Sequence, residues 1–175
     1  MGNLSEIYAL IDSGNENDVQ LGLIMWSGID KAAHDTFVSE WQAWADLFGM
    51  SLCWYLANHG RLVINCASNE LTELPAIPST LQILYCQNNQ LTALPALPST
   101  LQRLDCENNQ LTVLPALPST LQELYCYNNQ LTVLPALPPT LQILYCQNNY
   151  LTEEPKVPEG CELLFYTQKQ RTKAV

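Results

Sequence analysis

The chain has 175 residues, with 7 basic side chains against 17 acidic ones, a formal charge of −10 and a pI near 4.4. That length suits one continuous domain with an attached cap, and the acidic balance argues against nucleic acid, whose phosphates require clustered Lys and Arg. The most apolar stretch, Ala43–Ala57, is broken by Asp46 and too short to span a bilayer, so membrane insertion is not expected.

Residues 1–17 have neither a basic start nor an apolar run, so no classical signal peptide is expected. The opening MGNLSE resembles a myristoylation start, but Glu6 stands where Ser or Thr is needed. Leu4, Ile7, Tyr8 and Ile11 then fall at helical spacing, punctuated by Ser13-Gly14-Asn15. A second helix is expected from near Asn17 to Trp26, closing at Ser27-Gly28. Asp30 as a cap, with Phe37, Trp41, Trp44 and Phe48 on one stripe, signals a third. Gly49 breaks it before a shorter helix through Leu56. Residues 1–60 carry eight acidic side chains and one lysine, Lys31. His34, Cys53 and His59 are the residue types of bases and a nucleophile, but nothing sets their geometry, and no catalytic residue is assigned.

From Arg61 onward the sequence repeats every 20 residues. The cleanest copies are LQILYCQNNQLTALPALPST (Leu81–Thr100), LQRLDCENNQLTVLPALPST (Leu101–Thr120) and LQELYCYNNQLTVLPALPPT (Leu121–Thr140). Looser copies lie at Arg61–Thr80 and Leu141–Gly160, and Cys161 opens an unfinished sixth. Each unit reads L-x-x-L-x-C-x-x-N-x-L-x-x-L-P-x-L-P, a leucine-rich repeat with Cys in the third apolar slot. One such turn cannot bury its apolar face alone and must stack on its neighbours, which makes a solenoid.

Segments such as Ile83–Gln87 alternate apolar and polar residues and read as short strands, laid side by side as a parallel sheet. Leu84, Leu104, Leu124 and Leu144 form one inward column, and Leu91, Leu111, Leu131 and Leu151 another. Leu94, Leu114 and Leu134 extend the core on the far side. Asn69, Asn89, Asn109, Asn129 and Asn149 recur where the chain leaves the strand, and an inward amide there supplies donors and an acceptor to the turns: a structural ladder. All the prolines lie in the repeats, and L-P-A-L-P favours extended polyproline II over helix. The fold class is therefore an α/β solenoid with a concave parallel sheet and a polyproline-II convex side. Residues 1–60 form an α-helical N-terminal cap, and residues 61–175 form about five repeats and a closing half-repeat. Capping is needed because an open solenoid end exposes leucines and sheet-edge groups, although the aromatic stripe also suits a partner-binding face. At the other end Tyr166 and Arg171 replace core Cys and Leu, followed by a weakly basic tail with Lys169 and Lys173.

Cys66, Cys86, Cys106, Cys126 and Cys146 follow the same 20-residue period, among seven cysteines in all. Three readings compete. A column of buried free thiols is one, since Cys packs as a small hydrophobe; bridges between adjacent turns are a second, at the cost of strain. Metal binding is the third, and the absence of any C-x-x-C pair or Cys/His cluster speaks against it, so no metal or cofactor is assigned. Free thiols suit a reducing compartment.

The run N-x-L-T-x-L-P-x-L-P-x-x-L, from about Leu62 to Tyr166, resembles the LPX class of bacterial leucine-rich repeats. That class includes the repeat domains of Yersinia outer protein M and of IpaH-type ubiquitin ligases, effectors delivered into host cells. The ending EEPKVPEGCELLFY also resembles the way such arrays finish, with Glu154 in place of a core Leu. The resemblance implies protein–protein interaction, in the bacterial cytoplasm or, for a secreted effector, the host cytosol. Two departures stand out. The ligases carry a further domain with a nucleophilic Cys in C-x-D, and no Cys here is followed two residues later by Asp. The amino-terminal segment also lacks the basic, serine-rich character of a strong delivery signal.

The third, fifth and seventh positions of each unit face the concavity. There Tyr85, Tyr125, Tyr127, Tyr145 and Phe165 form an aromatic group beside Asp105, Glu107 and Glu123, with Arg103 among them. Tyr and Arg are enriched at interface hot spots, although Tyr also simply suits strands. The expected function is a non-catalytic, monomeric module that binds a protein with a basic patch on this face. Carbohydrate binding and a purely structural or engineered repeat scaffold are the alternatives; aromatic rings beside carboxylates suit sugars as well.

Overall fold

A computed structural model describes residues 4–28, 30–59 and 62–165 of the protein. The chain divides into two compact units, with the boundary between Ile64 and Asn65.

The first unit holds four helices, α1 (Leu4–Ile11), α2 (Glu16–Ser27), α3 (Lys31–Leu47) and α4 (Leu52–His59). α2 starts earlier than the apolar spacing suggested, because Asn15 takes the N-cap position. Its Oδ1 accepts from the N–H groups of Asn17 at 2.9 Å and Asp18 at 3.3 Å. Asp30 caps α3 through Ala33 N at 3.1 Å. At the far end Gly49, φ +66°, turns the chain out of helix. α4 then runs three residues beyond Leu56, to His59. Ile7 and Ile11 of α1, with Val19, Leu23 and Trp26 of α2, are buried, and α1 and α2 meet at Gly22. Phe37, Trp41 and Trp44 are buried along α3, and Trp26 and Phe37 pack with centroids 4.7 Å apart.

The second element set is a parallel sheet of three-residue strands in chain order: β1 (Val63–Asn65), β2 (Ile83–Tyr85), β3 (Arg103–Asp105), β4 (Glu123–Tyr125), β5 (Ile143–Tyr145) and β6 (Glu162–Leu164). The strands are shorter than the five-residue alternation, although backbone bonds between turns continue beyond them, as from Cys86 N to Asp105 O at 2.8 Å and from Asn88 N to Glu107 O at 3.1 Å. Leu84, Leu104 and Leu124 pair with the residue 20 positions on, so identical side chains stack. The columns at Leu84 to Leu144, Leu91 to Leu151 and Cys66 to Cys146 are buried, and a further column at Leu81, Leu101, Leu121 and Leu141 is buried as completely. Each Leu contributes about 1.5–3 kcal/mol on burial. Leu94 and Leu134 are only half-buried, while Leu114 is buried. Residues 92–98 and their equivalents carry neither helix nor strand, as proline requires. The chain is thus a leucine-rich-repeat solenoid of about five turns preceded by a helical region.

All seven cysteines are free thiols, and Cys66 to Cys146 line the interior. Burial pushes Cys66 and Cys146 up to about 12 and raises Cys86, Cys106 and Cys126 well above the ordinary thiol value. The closing half-turn at Tyr166 and Arg171, and the tail with Lys169 and Lys173, lie outside the described residues.

The last strand departs from the repeat. Ile143 pairs with Glu162 and Tyr145 with Leu164, a spacing of 19 where the other pairs keep 20. A one-residue shift exchanges the faces of every side chain in a strand. Glu162 and Leu164 therefore take the outward places that 20-residue spacing gives to Leu163 and Phe165. The assignment of Phe165 to the binding face is corrected accordingly: Leu164, not Phe165, stands opposite Tyr145. The shift follows Gly160, whose φ of +78° turns the chain left-handed just before the strand.

Candidate functional site

Tyrosine and acidic positions meet on the sheet face turned away from the leucine core, and Arg103 joins them. Its guanidinium donates to Glu123 Oε2 at 2.6 Å, lies 3.5 Å from Asp105 Oδ2, and sits over the rings of Tyr125 at 4.6 Å and Tyr85 at 5.3 Å. Register explains the convergence: Tyr85, Asp105 and Tyr125 are paired across β2, β3 and β4, and Arg103 is paired with Glu123. The planar guanidinium satisfies both a carboxylate and two ring faces, which a lysine cannot do. Its cationic form is favoured by Glu123, against the cost of desolvation. The one arginine of the group is thus held by the protein itself.

Tyr125 extends the cluster. Its hydroxyl donates to Glu123 Oε2 at 3.2 Å, and its ring meets Tyr145 edge-on at 5.3 Å. The Tyr145 hydroxyl in turn donates to Glu162 Oε1. Burial and the neighbouring Glu123 raise the Tyr125 phenol, and the Glu162 bond raises Tyr145, so both hydroxyls are donors at neutral pH. Glu162 was missed by sequence reasoning because only the shifted register brings it here.

Asp105 differs from its expected place. It is only 7% exposed, whereas the pattern at this position suggested an accessible carboxylate. Desolvation, then the adjacent Glu107 carboxyl, push it up to about 7 against the opposing pull of Arg103. Glu107 also accepts a hydrogen bond from Tyr127, whose phenol is raised by burial and by that carboxylate. A side-chain hydrogen bond with Glu107 adds to the upward push on the Asp105 carboxyl. Phe165 is half-buried and joins none of these contacts.

The asparagine register shows a second pattern. Asn89, Asn109, Asn129 and Asn149 are buried, whereas Asn69 is exposed. Asn109 Nδ2 donates to the carbonyls of Cys86, Cys106 and Glu107, and its Oδ1 accepts from Leu91 N. Asn89, Asn129 and Asn149 repeat the arrangement. Among the described residues, Asn69 Nδ2 donates to the Ala67 carbonyl of its own turn. The preceding residues Asn88, Asn108, Asn128 and Asn148 hold φ between +52° and +60°, a left-handed region that Asn tolerates. Sequence reasoning passed over them, although the N-N doublet was the signal. Asn128 and Asn148 also link turns, their Nδ2 groups donating hydrogen bonds to Asn108 Oδ1 at 2.7 Å and Asn128 Oδ1 at 2.6 Å. Thr100, Thr120 and Thr140 join turns in the same way through Leu81, Leu101 and Leu121 carbonyls.

Among the described residues, no group of three or more His, Cys, Asp or Glu is placed to hold a metal ion. No helix among them is long and apolar enough to cross a membrane. Cys53 Sγ donates to Gln20 Oε1 at 2.7 Å, and burial raises its thiol, so the arrangement opposes thiolate formation.

No protein-family model matches the chain, and no curated protein matches it. Solved structures do. A leucine-rich-repeat domain of a Shigella effector shares 26% identity at a TM-score of 0.58, over 86% of this chain and 64% of that one. YopM, a leucine-rich effector from Yersinia pestis, shares 32% identity at a TM-score of 0.57, over 74% of this chain and 34% of that one. YopM from Yersinia enterocolitica shares 27% identity at a TM-score of 0.52, over 86% and 36%. The chain therefore spans less than two thirds of the length of each. These neighbours are the effector repeat proteins that the L-P-x-L-P pattern resembles.

Proposed function

We propose that the chain is a non-catalytic recognition module, effector-like in type, that binds a protein partner on the aromatic and acidic face of its sheet. The observation that carries this reading is the joined cluster of Tyr85, Arg103, Glu123, Tyr125, Tyr145 and Glu162, in which Arg103 and the Tyr125 and Tyr145 hydroxyls are already engaged. Rings held in one geometry lose little side-chain entropy on binding, which is why such residues dominate interfaces. The similarity to effector repeat proteins supports a repeat interaction module in general. The carboxylates outnumber Arg103 on the face, so the partner surface is basic. Cofactors and metals have no part in this reading.

The test compares the intact chain with the Tyr125→Ala/Tyr145→Ala pair in affinity pulldowns from host and bacterial lysates under reducing conditions. A partner held by the intact chain and lost by the variant, with the melting temperature within a few degrees, supports the face. Removing these two rings costs about 1–2 kcal/mol of ring and cation–π contact. Equal recovery by both proteins overturns the assignment.

A further inference from the structure

The apolar column of Leu74, Leu94, Leu114 and Leu134, buried or half-buried in each turn, ends at an exposed Glu154 in the next. There, between the proline segments of two successive turns, lies an open groove of about 350 Å³ lined by Leu134, Leu137 and Leu151. Glu153, Glu154 and Lys156 border it as well. A turn that kept the repeat leucine would lay that side chain beside Leu134, as Leu134 lies beside Leu114. The groove is therefore a departure of this turn from the repeat, and not a feature of the repeat itself.

Two observations bear on what the groove takes. Its walls, residues 132–137 and 152–156, are neither helix nor strand, and their backbone groups hydrogen-bond to no protein group among the described residues. Free N–H and C=O groups need partners from outside, and an extended polypeptide supplies both kinds along its length. The charge is also one-sided. Residues 132–137 carry none, whereas the stretch from Glu153 to Glu162 holds four glutamates against Lys156. Glu153 and Glu154 enter no ion pair or hydrogen bond among the described residues, so both carboxylates are uncommitted.

We propose that this groove docks an extended basic segment of a partner polypeptide. A leucine or other aliphatic side chain of the segment takes the place of the missing repeat leucine, and a neighbouring Lys or Arg meets Glu153 and Glu154. Burial of the aliphatic group supplies the affinity. The glutamates are solvent-exposed, so they serve chiefly to select a basic segment over an acidic one. The groove lies in the proline segments and uses none of the tyrosine face, so the two readings fail separately.

The test follows the leucine methyl groups of the full chain by NMR during titration with an acetylated Gly-Lys-Leu-Arg-Gly amide, up to about 1 mM. Two control peptides replace its leucine by alanine, or both cations by glutamate. The expected result is a set of shifts centred on Leu134, Leu137 and Leu151, with the alanine peptide at least about tenfold weaker. The glutamate peptide should be weaker too, by a margin that shrinks as salt is added. Glu154→Leu restores the repeat leucine, and is expected to raise the melting temperature while removing peptide binding. Glu154→Gln keeps the groove and should lose only the salt-sensitive part. Equal binding of the leucine and alanine peptides, unchanged binding by Glu154→Leu, or no binding at all overturns the proposal. Binding lost in Tyr125→Ala/Tyr145→Ala but kept in Glu154→Leu places the peptide on the sheet face and equally overturns the groove. Self-association that Glu154→Leu abolishes, without peptide binding, makes a second copy the occupant and overturns the partner segment.

Discussion

Asn109 Nδ2 lies 3.0 Å from the carbonyl oxygen of Cys86, one turn back, and 3.1 Å from that of Cys106 in its own turn. Its Oδ1 accepts from Leu91 N at 3.0 Å, so one side chain closes two turns at once. Asn109→Ala would strand a buried N–H and several carbonyls, and is expected to cost about 2–4 kcal/mol in urea unfolding. Asn69→Ala removes an exposed bond to the Ala67 carbonyl and is expected to cost less than about 1 kcal/mol. Equal costs at the two positions would show that the amide ladder does not hold the turns together.

Gly22 in the middle of α2 inverts an ordinary rule. Replacing an interior helical glycine by alanine normally stabilises by about 0.5–1 kcal/mol. Here an added Cβ would lie 2.8 Å from Ile11 Cγ1 and 3.1 Å from the Ile7 carbonyl oxygen. Gly22→Ala is therefore expected to destabilise by about 1–3 kcal/mol through overpacking. Gly28→Ala meets only the Met25 carbonyl oxygen at 3.5 Å and should change little. Thermal melts of the two variants decide the matter, and a more stable Gly22→Ala would contradict the close approach of α1 and α2.

The Asp105 carboxyl couples stability to pH. Its folded-state value, about 7, lies above the ordinary 3.8, so the folded chain holds this proton more tightly than the unfolded chain. Its stabilising contribution is complete below 3.8 and is lost as pH rises to about 7. Asp105→Asn keeps the group neutral and should raise the melting temperature in mildly alkaline buffer, with a much smaller difference near pH 4. A Tm difference between variant and wild type that is the same at both pH values would remove Asp105 as the titrating group.

The boundary of what could be read from residues alone follows from these cases. Leu84 and Cys86 sit in every copy of a fixed period, and a fixed period with one apolar column has one economical solution, stacking in register. The caps at Asp30 and in the L-P-x-L-P turns are likewise local chemistry, since a side chain within three residues, or a missing N–H, decides them. The fold class, the Cys column and the buried asparagines were legible for that reason.

What lay beyond the sequence depends on partners 20 residues away or on a single shifted register. The pattern places Asp105 outward, yet its neighbours Arg103, Glu107 and the flanking tyrosines enclose it, and only their packed positions show that. Glu162 and Leu164 take the outward places expected for Leu163 and Phe165 because β6 pairs at 19 residues and not 20, and a one-residue slip changes which face a side chain meets. The sequence by itself determined the repeating turn, because each turn's contacts are the same as its neighbour's. Only the tertiary structure decided which charges on the face are paired with one another and which carboxyl is buried among them, because burial and pairing belong to the assembled surface and not to any one repeat.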